Sequence, residues 1–190
     1  MYGMVNDGIR RFVVETHGEP AWDEIRAAAG VDDRAFDTMS VVPDSVTYDL
    51  VAAICEKFDI TAQDALNAFG AYWPEFASRT AWGRLLDFNG NGFRGCLESL
   101  DEMHDRISAT MPHLQPPSFE VEPLSDTSFH VYYMSHRQGL TPMVAGLLHG
   151  LAKRFGEEIR VTHLPEHASE DGEVFTVEII TKRVETDVAA

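Results

Sequence analysis

The sequence predicts an α+β fold, and three observations carry that prediction. In the first half, apolar residues recur at steps of three and four, the period of a helix with one buried face. From residue 118 onward they alternate with polar residues, the period of a half-buried antiparallel strand. Only one helical stretch interrupts the strands. Helices followed by strands make an α+β domain rather than an alternating one. The expected architecture is an N-terminal helical lobe and a C-terminal lobe with a four-stranded antiparallel sheet and helices.

The elements follow in order. Residues 4–14 put Val5, Ile9, Phe12 and Val13 on helical spacing, ending near Gly18. Pro20 opens a second helix to Ala29, and Gly30 stops it, since proline suits a first turn and glycine a left-handed cap. Pro43-Asp-Ser-Val opens a third, to Phe58. Thr61 caps a fourth from Ala62 to about Trp73, with Pro74 as its expected end. A short helix is predicted over 81–86. The run Asp87-Phe-Asn-Gly-Asn-Gly92 reads as a break and a hinge between lobes. Phe93, Cys96, Leu97, Leu100, Met103 and Ile107 then mark one amphipathic helix. A link with Pro112, Pro116 and Pro117 leads to strands at 118–124, 128–136, 158–164 and 173–182. Between the second and third strands, Thr141-Pro142 reads as N-cap and first turn of a helix to about Phe155. The residues from Glu185 onward are predicted loose. The single domain 1–190 thus divides into a helical lobe, 1–86, and an α/β lobe, 91–182.

Charge excludes some functions. Acids outnumber bases by 31 to 15, for a net charge of −16. Nucleic acid binding needs a basic patch, and none is visible. An anionic membrane surface would repel the chain. The acidity suits solubility, or steering toward a partner with a basic face. No leader and no bilayer-spanning run is seen, so a cytoplasmic protein is expected. Cys55 and Cys96 are too few for a disulfide framework and read as reduced core residues.

Two features carry chemistry. Tyr133, Ser135 and Arg137 stand at alternate positions at the end of a strand-like run. In a strand they share a face, as either a solvated polar end or a row of donors for an extended anion. Arginine can grip a carboxylate with two parallel hydrogen bonds. The second feature is His104, beside the apolar stripe of its helix. It is either a core histidine or a neutral imidazole offered to a metal in a dry pocket. No second His or Cys stands one helical turn away, so a closed zinc site is unsupported. One histidine without local co-ligands fits haem iron, which brings its other ligands and two propionates. A hydrolase built on Ser135 and His136 fails, because adjacent strand residues face opposite ways. His149, His163 and His167 form no spaced ligand set.

On these residues the chain resembles the haem nitric oxide/oxygen binding (H-NOX) domains, bacterial relatives of the haem domain of soluble guanylate cyclase. The resemblance opens with Met1-Tyr-Gly-Met-Val-Asn. It continues through Leu100-Asp-Glu-Met-His104, Gln115-Pro-Pro-Ser-Phe119, Tyr133-x-Ser-x-Arg137 and Gly146-Leu-Leu. It implies haem b between the lobes, with His104 as axial ligand and Tyr133, Ser135 and Arg137 as propionate clamp. Pro117 would press on the porphyrin and hold it out of plane. The resemblance places Pro142 or Met143 at the family's distal tyrosine position. Val5 and Ile9 are the implied apolar neighbours. Neither Pro142 nor Met143 can donate a hydrogen bond, so nitric oxide and carbon monoxide are the expected ligands and oxygen is held poorly. Tyr72 is the residue that could reverse this. The implied mechanism is weakening of the iron–His104 bond, followed by lobe rotation read by a signalling histidine kinase or a cyclic-di-nucleotide enzyme. A haem-free interaction module and an oxygen-binding haem protein are the alternatives.

Overall fold

The computed structural model describes residues 1–80, 83, 92–168 and 172–181. The helix expected over 81–86 and the hinge at 87–92 fall outside these, apart from Gly83 and Gly92.

Four helices come first: α1 (Gly3–His17), α2 (Glu19–Ala29), α3 (Asp44–Phe58) and α4 (Ala62–Ser78). Gly30 caps α2 in the left-handed conformation, and the Thr61 side chain caps α4 by accepting from the Asp64 amide. Ile9, Val13, Trp22, Ile25, Leu50, Ile54 and Phe69 close a first apolar cluster among them. Pro74 does not end α4, as the sequence suggested. It lies inside the helix, which runs four residues further. Pro74 costs α4 the bond it would donate to the Gly70 carbonyl. Burial of Phe69, Pro74 and Phe76 offsets that loss.

The single helix expected over 93–107 is two, α5 (Gly92–Glu98) and α6 (Leu100–Ser108). Ser99 breaks them: its hydroxyl donates back to the Gly95 and Cys96 carbonyls, competing with the helical ladder. Both halves keep their apolar faces inward, so the periodicity survives the break.

Four strands follow: β1 (Ser118–Pro123), β2 (Ser128–Met134), β3 (Glu158–His163) and β4 (Gly172–Thr181). They form one antiparallel sheet in the order β1-β2-β4-β3. Helix α7 (Thr141–Arg154) lies between β2 and β3 in sequence. Thr141 is not its N-cap: its hydroxyl donates to Glu173 on β4, and Leu140 takes the cap position. Phe119, Phe129, Val131, Phe175 and Val177 face Leu148 and Leu151 of α7 and Phe93 and Leu97 of α5, making a second apolar cluster. No helix among the described residues is long and apolar enough to cross a membrane.

The two clusters are joined where α4 crosses α7 on glycines. A Cβ on Gly146 would stand 2.0 Å from the Asn67 carbonyl oxygen, and one on Gly70 would stand 2.1 Å from that of Met143. Only glycine lets the two backbones come this close.

Candidate functional site

The cavity of interest, about 240 Å³, lies where both apolar clusters meet. Met4 and Val5 of α1, and Trp73, Pro74 and Ala77 of α4, supply one side. Leu100, Met103, His104 and Ile107 of α6 supply another. Met143, Val144 and Leu147 of α7, the 113–119 segment and the end of β2 complete it. Apolar side chains dominate, so a polar group inside is held in a low-dielectric setting.

His104 reaches this cavity because α6 buries Leu100, Met103 and Ile107, and the next position round the helix faces the gap beside them. Its ring lies 6.4 Å from that of Phe119, centroid to centroid. Burial pushes the imidazole pKa down, while Asp101, the Pro117 backbone and Asp105 pull the other way. Despite that backbone, Nδ1 is buried and completes no hydrogen bond among the described residues. A buried unpaired nitrogen calls for an explanation. A neutral imidazole is a ready metal ligand.

Asp101 fixes α6 in place. Its carboxylate accepts from the Ser118 hydroxyl and, at 2.9 Å, from the Phe119 amide. The His104 helix is thereby tied to the start of β1, next to Pro117. Nothing in the sequence marked Asp101 out from the other acids of α6.

The depressed His104 pKa has a sign that can be checked. In the ligand-free protein the folded state takes this proton less readily than the unfolded chain. The stability tied to this group is therefore present above the unfolded value of about 6.5, and is lost as pH falls toward the folded pKa. The melting temperature of the ligand-free protein should fall between about pH 7 and pH 5, and fall less in His104→Gln. His149, whose pKa burial also lowers, acts in both proteins, so the difference reports His104 alone. Parallel curves would show that His104 titrates as it does in the unfolded chain.

All three residues of the alternating triad line the cavity, but not by strand alternation. β2 ends at Met134, and Ser135 and Arg137 reach inward from the loop beyond. Ser135 Oγ accepts from the Arg137 amide at 3.1 Å, which folds the loop back. Burial raises the Tyr133 pKa, against Ser135 and Arg137. Arg137 is not idle: Nε donates to Asp44 at 2.8 Å and Nη1 to the Gln115 carbonyl at 2.7 Å.

Among the other expected residues, Val5, Pro117 and Met143 are on the cavity wall. Ile9 is not; it packs in the helical cluster with 2% of its surface exposed. Pro142 faces a separate outer hollow with Asp64, Asn67 and His163, so Met143 is the one that meets the cavity. Tyr72 does not reach the wall. It stacks with Phe12 and Phe76, and burial raises its pKa to about 12. His136 is exposed, as expected, and His163 pairs with Glu173. Among the described residues no cluster of three His, Cys, Asp or Glu could hold a metal ion. Among the described residues His104 therefore belongs to no such set.

The sequence matches the Haem-NO-binding family over residues 2–163. The chain belongs to the H-NOX family. Soluble guanylate cyclase gcy-31 of Caenorhabditis elegans is 27% identical over 153 residues, covering 80% of this chain and 22% of that protein. Soluble guanylate cyclase 89Db of Drosophila melanogaster is 24% identical over 155 residues, 82% of this chain and 23% of its own length. The chain thus spans about a quarter of these cyclases or less. An H-NOX protein from S. oneidensis, in its Fe(II) state, superposes with a TM-score of 0.84 at 21% identity, over 96% of this chain and 97% of that one. An oxygen-binding H-NOX domain related to soluble guanylate cyclases gives 0.80 at 20% identity, over 97% and 98%. The helices and four-stranded sheet described above are the H-NOX fold, and the chain is a haem-binding sensor domain related to soluble guanylate cyclase.

Proposed function

We propose that this H-NOX domain holds haem b in the cavity, with His104 as the residue that would hold its iron, and senses nitric oxide. The observation that carries this is the His104 imidazole: neutral at physiological pH, unpaired at Nδ1, and set in an apolar cavity. The cavity's remaining chemistry fits the same group. Tyr133, Ser135 and Arg137 give two hydroxyls and a cation to two propionates, and Pro117 stands beside His104 to press on the ring. Bound haem would supply a ferrous iron able to take a diatomic gas such as nitric oxide, with His104 as the side chain that would hold that iron.

The chain's own residues supply the rest. Val5, Met143 and Leu147 give the wall no hydrogen-bond donor, and the Thr80 hydroxyl is turned to the Ala77 carbonyl. The tyrosines that line the cavity among the described residues are Tyr2 and Tyr133, and neither α4 nor α7 adds one, so the wall of Val5, Met143 and Leu147 would offer bound oxygen no phenol. Carbon monoxide and nitric oxide need none. With His104 free of the iron, α6 would still be held by Asp101 to β1, and the helical lobe, 1–86, could turn against the α/β lobe, 91–182. A ligand shifts such an equilibrium only by its different affinity for the two states. The output goes to a separate partner, a signalling histidine kinase or a cyclic-di-nucleotide enzyme. The match covers about a quarter of the cyclases' length or less, and no cyclase activity is carried over from them.

Visible absorption spectra test this. The reduced protein should be five-coordinate, shift with nitric oxide, and form no lasting oxygen complex in air. A stable oxygen complex would make it an oxygen-binding protein. A colourless protein that refuses haemin would leave a haem-free interaction module.

A further inference from the structure

Arg137 is paired with protein before any anion reaches the cavity. A guanidinium grips a carboxylate bidentately along one of two edges, through Nε and one Nη or through both Nη atoms. Here Asp44 sits on Nε, whose single N–H leaves the Nε edge already occupied by a carboxylate oxygen, and the Gln115 carbonyl sits on Nη1. Nη2 makes no hydrogen bond among the described residues. A carboxylate that takes the Nε edge bidentately must displace Asp44.

The two are not equivalent. The Gln115 oxygen is neutral backbone, whereas Asp44 carries a charge that repels an incoming carboxylate. Asp44 opens α3, and its second oxygen accepts from the Met1 amino group. Burial would raise its pKa, but the bonds from Met1 and Arg137 outweigh this and hold the carboxyl below its ordinary value. A second contact joins α3 to the clamp loop: the Tyr48 hydroxyl donates to the Gln138 carbonyl at 3.2 Å.

We propose that Asp44 is a built-in carboxylate standing on Arg137 where a carboxylate of the ligand would bind. Ligand entry and release of α3 from the clamp loop are then one equilibrium. Asp44 neutralises a cation that would otherwise sit unpaired at an apolar cavity, and yields it when a propionate arrives. This rests on the haem reading above.

The test is Asp44→Asn, which keeps an oxygen for Nε and removes the charge. The ligand-free variant should melt lower than the parent. The haem-loaded variant should transfer haem to apomyoglobin more slowly, by roughly tenfold after allowance for solvent screening. With haem dimethyl ester, whose propionates carry no charge, variant and parent should release alike. Tyr48→Phe, which cuts the neutral tie only, should stay within about twofold of the parent. Faster release of both haem and ester from Asp44→Asn would overturn the proposal and make Asp44 a support for Arg137. Equal release with equal melting would reduce the contact to a surface pair. A parent protein that takes up haem while Asp44→Asn behaves identically defeats this inference alone. A parent that takes up no haem defeats the haem reading and this inference together.

Discussion

Replacement of His104 by glycine is expected to give a protein that folds but purifies with less than about a tenth of the parent's haem. Imidazole in the buffer should restore most of it, because the deletion leaves a hole of the shape removed. The fold survives because α6 is anchored by Leu100, Met103 and Ile107 and by Asp101 on β1, none of which touches the deleted ring through a hydrogen bond. Loss of ring packing and the glycine in a helix together cost about 2–4 kcal/mol. Imidazole-rescued protein should respond as if already switched, with output shifted and blind to nitric oxide, since the added base transmits no pull to α6. His113 is the other imidazole on the cavity wall, and its amide donates to the Tyr2 hydroxyl. His113→Gln should therefore keep its haem and its response. If His104→Gly kept both while His113→Gln lost them, the ligand would be His113 and the mechanism would have to be rebuilt on that segment.

Gly70→Ala and Gly146→Ala are expected to destabilise the protein by about 3 kcal/mol or more, the upper end of overpacking costs, lowering the melting temperature by about 6–12 °C. In an open helix the same change would stabilise by up to about 1 kcal/mol, so the sign is diagnostic. The reason lies in what the new methyl meets. At both positions it strikes a carbonyl oxygen of the opposite helix, at 2.1 and 2.0 Å, and backbone cannot rotate away. The helices must separate, and Met143 and Leu147 on the cavity wall move with α7. Haem-loaded variants should thus change their gas affinity as well as their stability. Gly8→Ala is the contrast, since its methyl would meet only the Trp73 and Phe76 side chains, at 3.1 and 3.2 Å. A Gly146→Ala protein as stable as the parent would show that α4 and α7 do not cross this closely.

Much of the molecule was legible in the chain, and the reason is local. Alternation in Phe119–Val121 and Phe129–Tyr133 encodes which strand face is buried, and the observed register pairs those residues directly, Phe119 with Tyr133 and Val121 with Val131. The spacing of Leu100, Met103 and Ile107 encodes the buried side of α6 and leaves His104 beside it. Two misreadings share one cause. Local rules alone place a helix end at Pro74 and one unbroken helix over 93–107. Tertiary burial carried α4 through its proline, and a side chain bonding back to the Gly95 and Cys96 carbonyls broke a helix whose periodicity continues.

By itself the sequence determined the order of elements, the sheet, and the presence of His104 and the Tyr133-Ser135-Arg137 set. These depend on period and residue type within a few turns of chain. Only the tertiary structure decided which faces meet. It placed Met143 rather than Pro142 on the cavity and kept Ile9 in the helical cluster. It brought Ser135 and Arg137 inward from a loop, and it put Asp44 against Arg137. The placement of Met143 goes with the close backbone contacts of α4 and α7 at Gly70 and Gly146, and a pattern of apolar residues along one helix carries no record of how closely another can approach it.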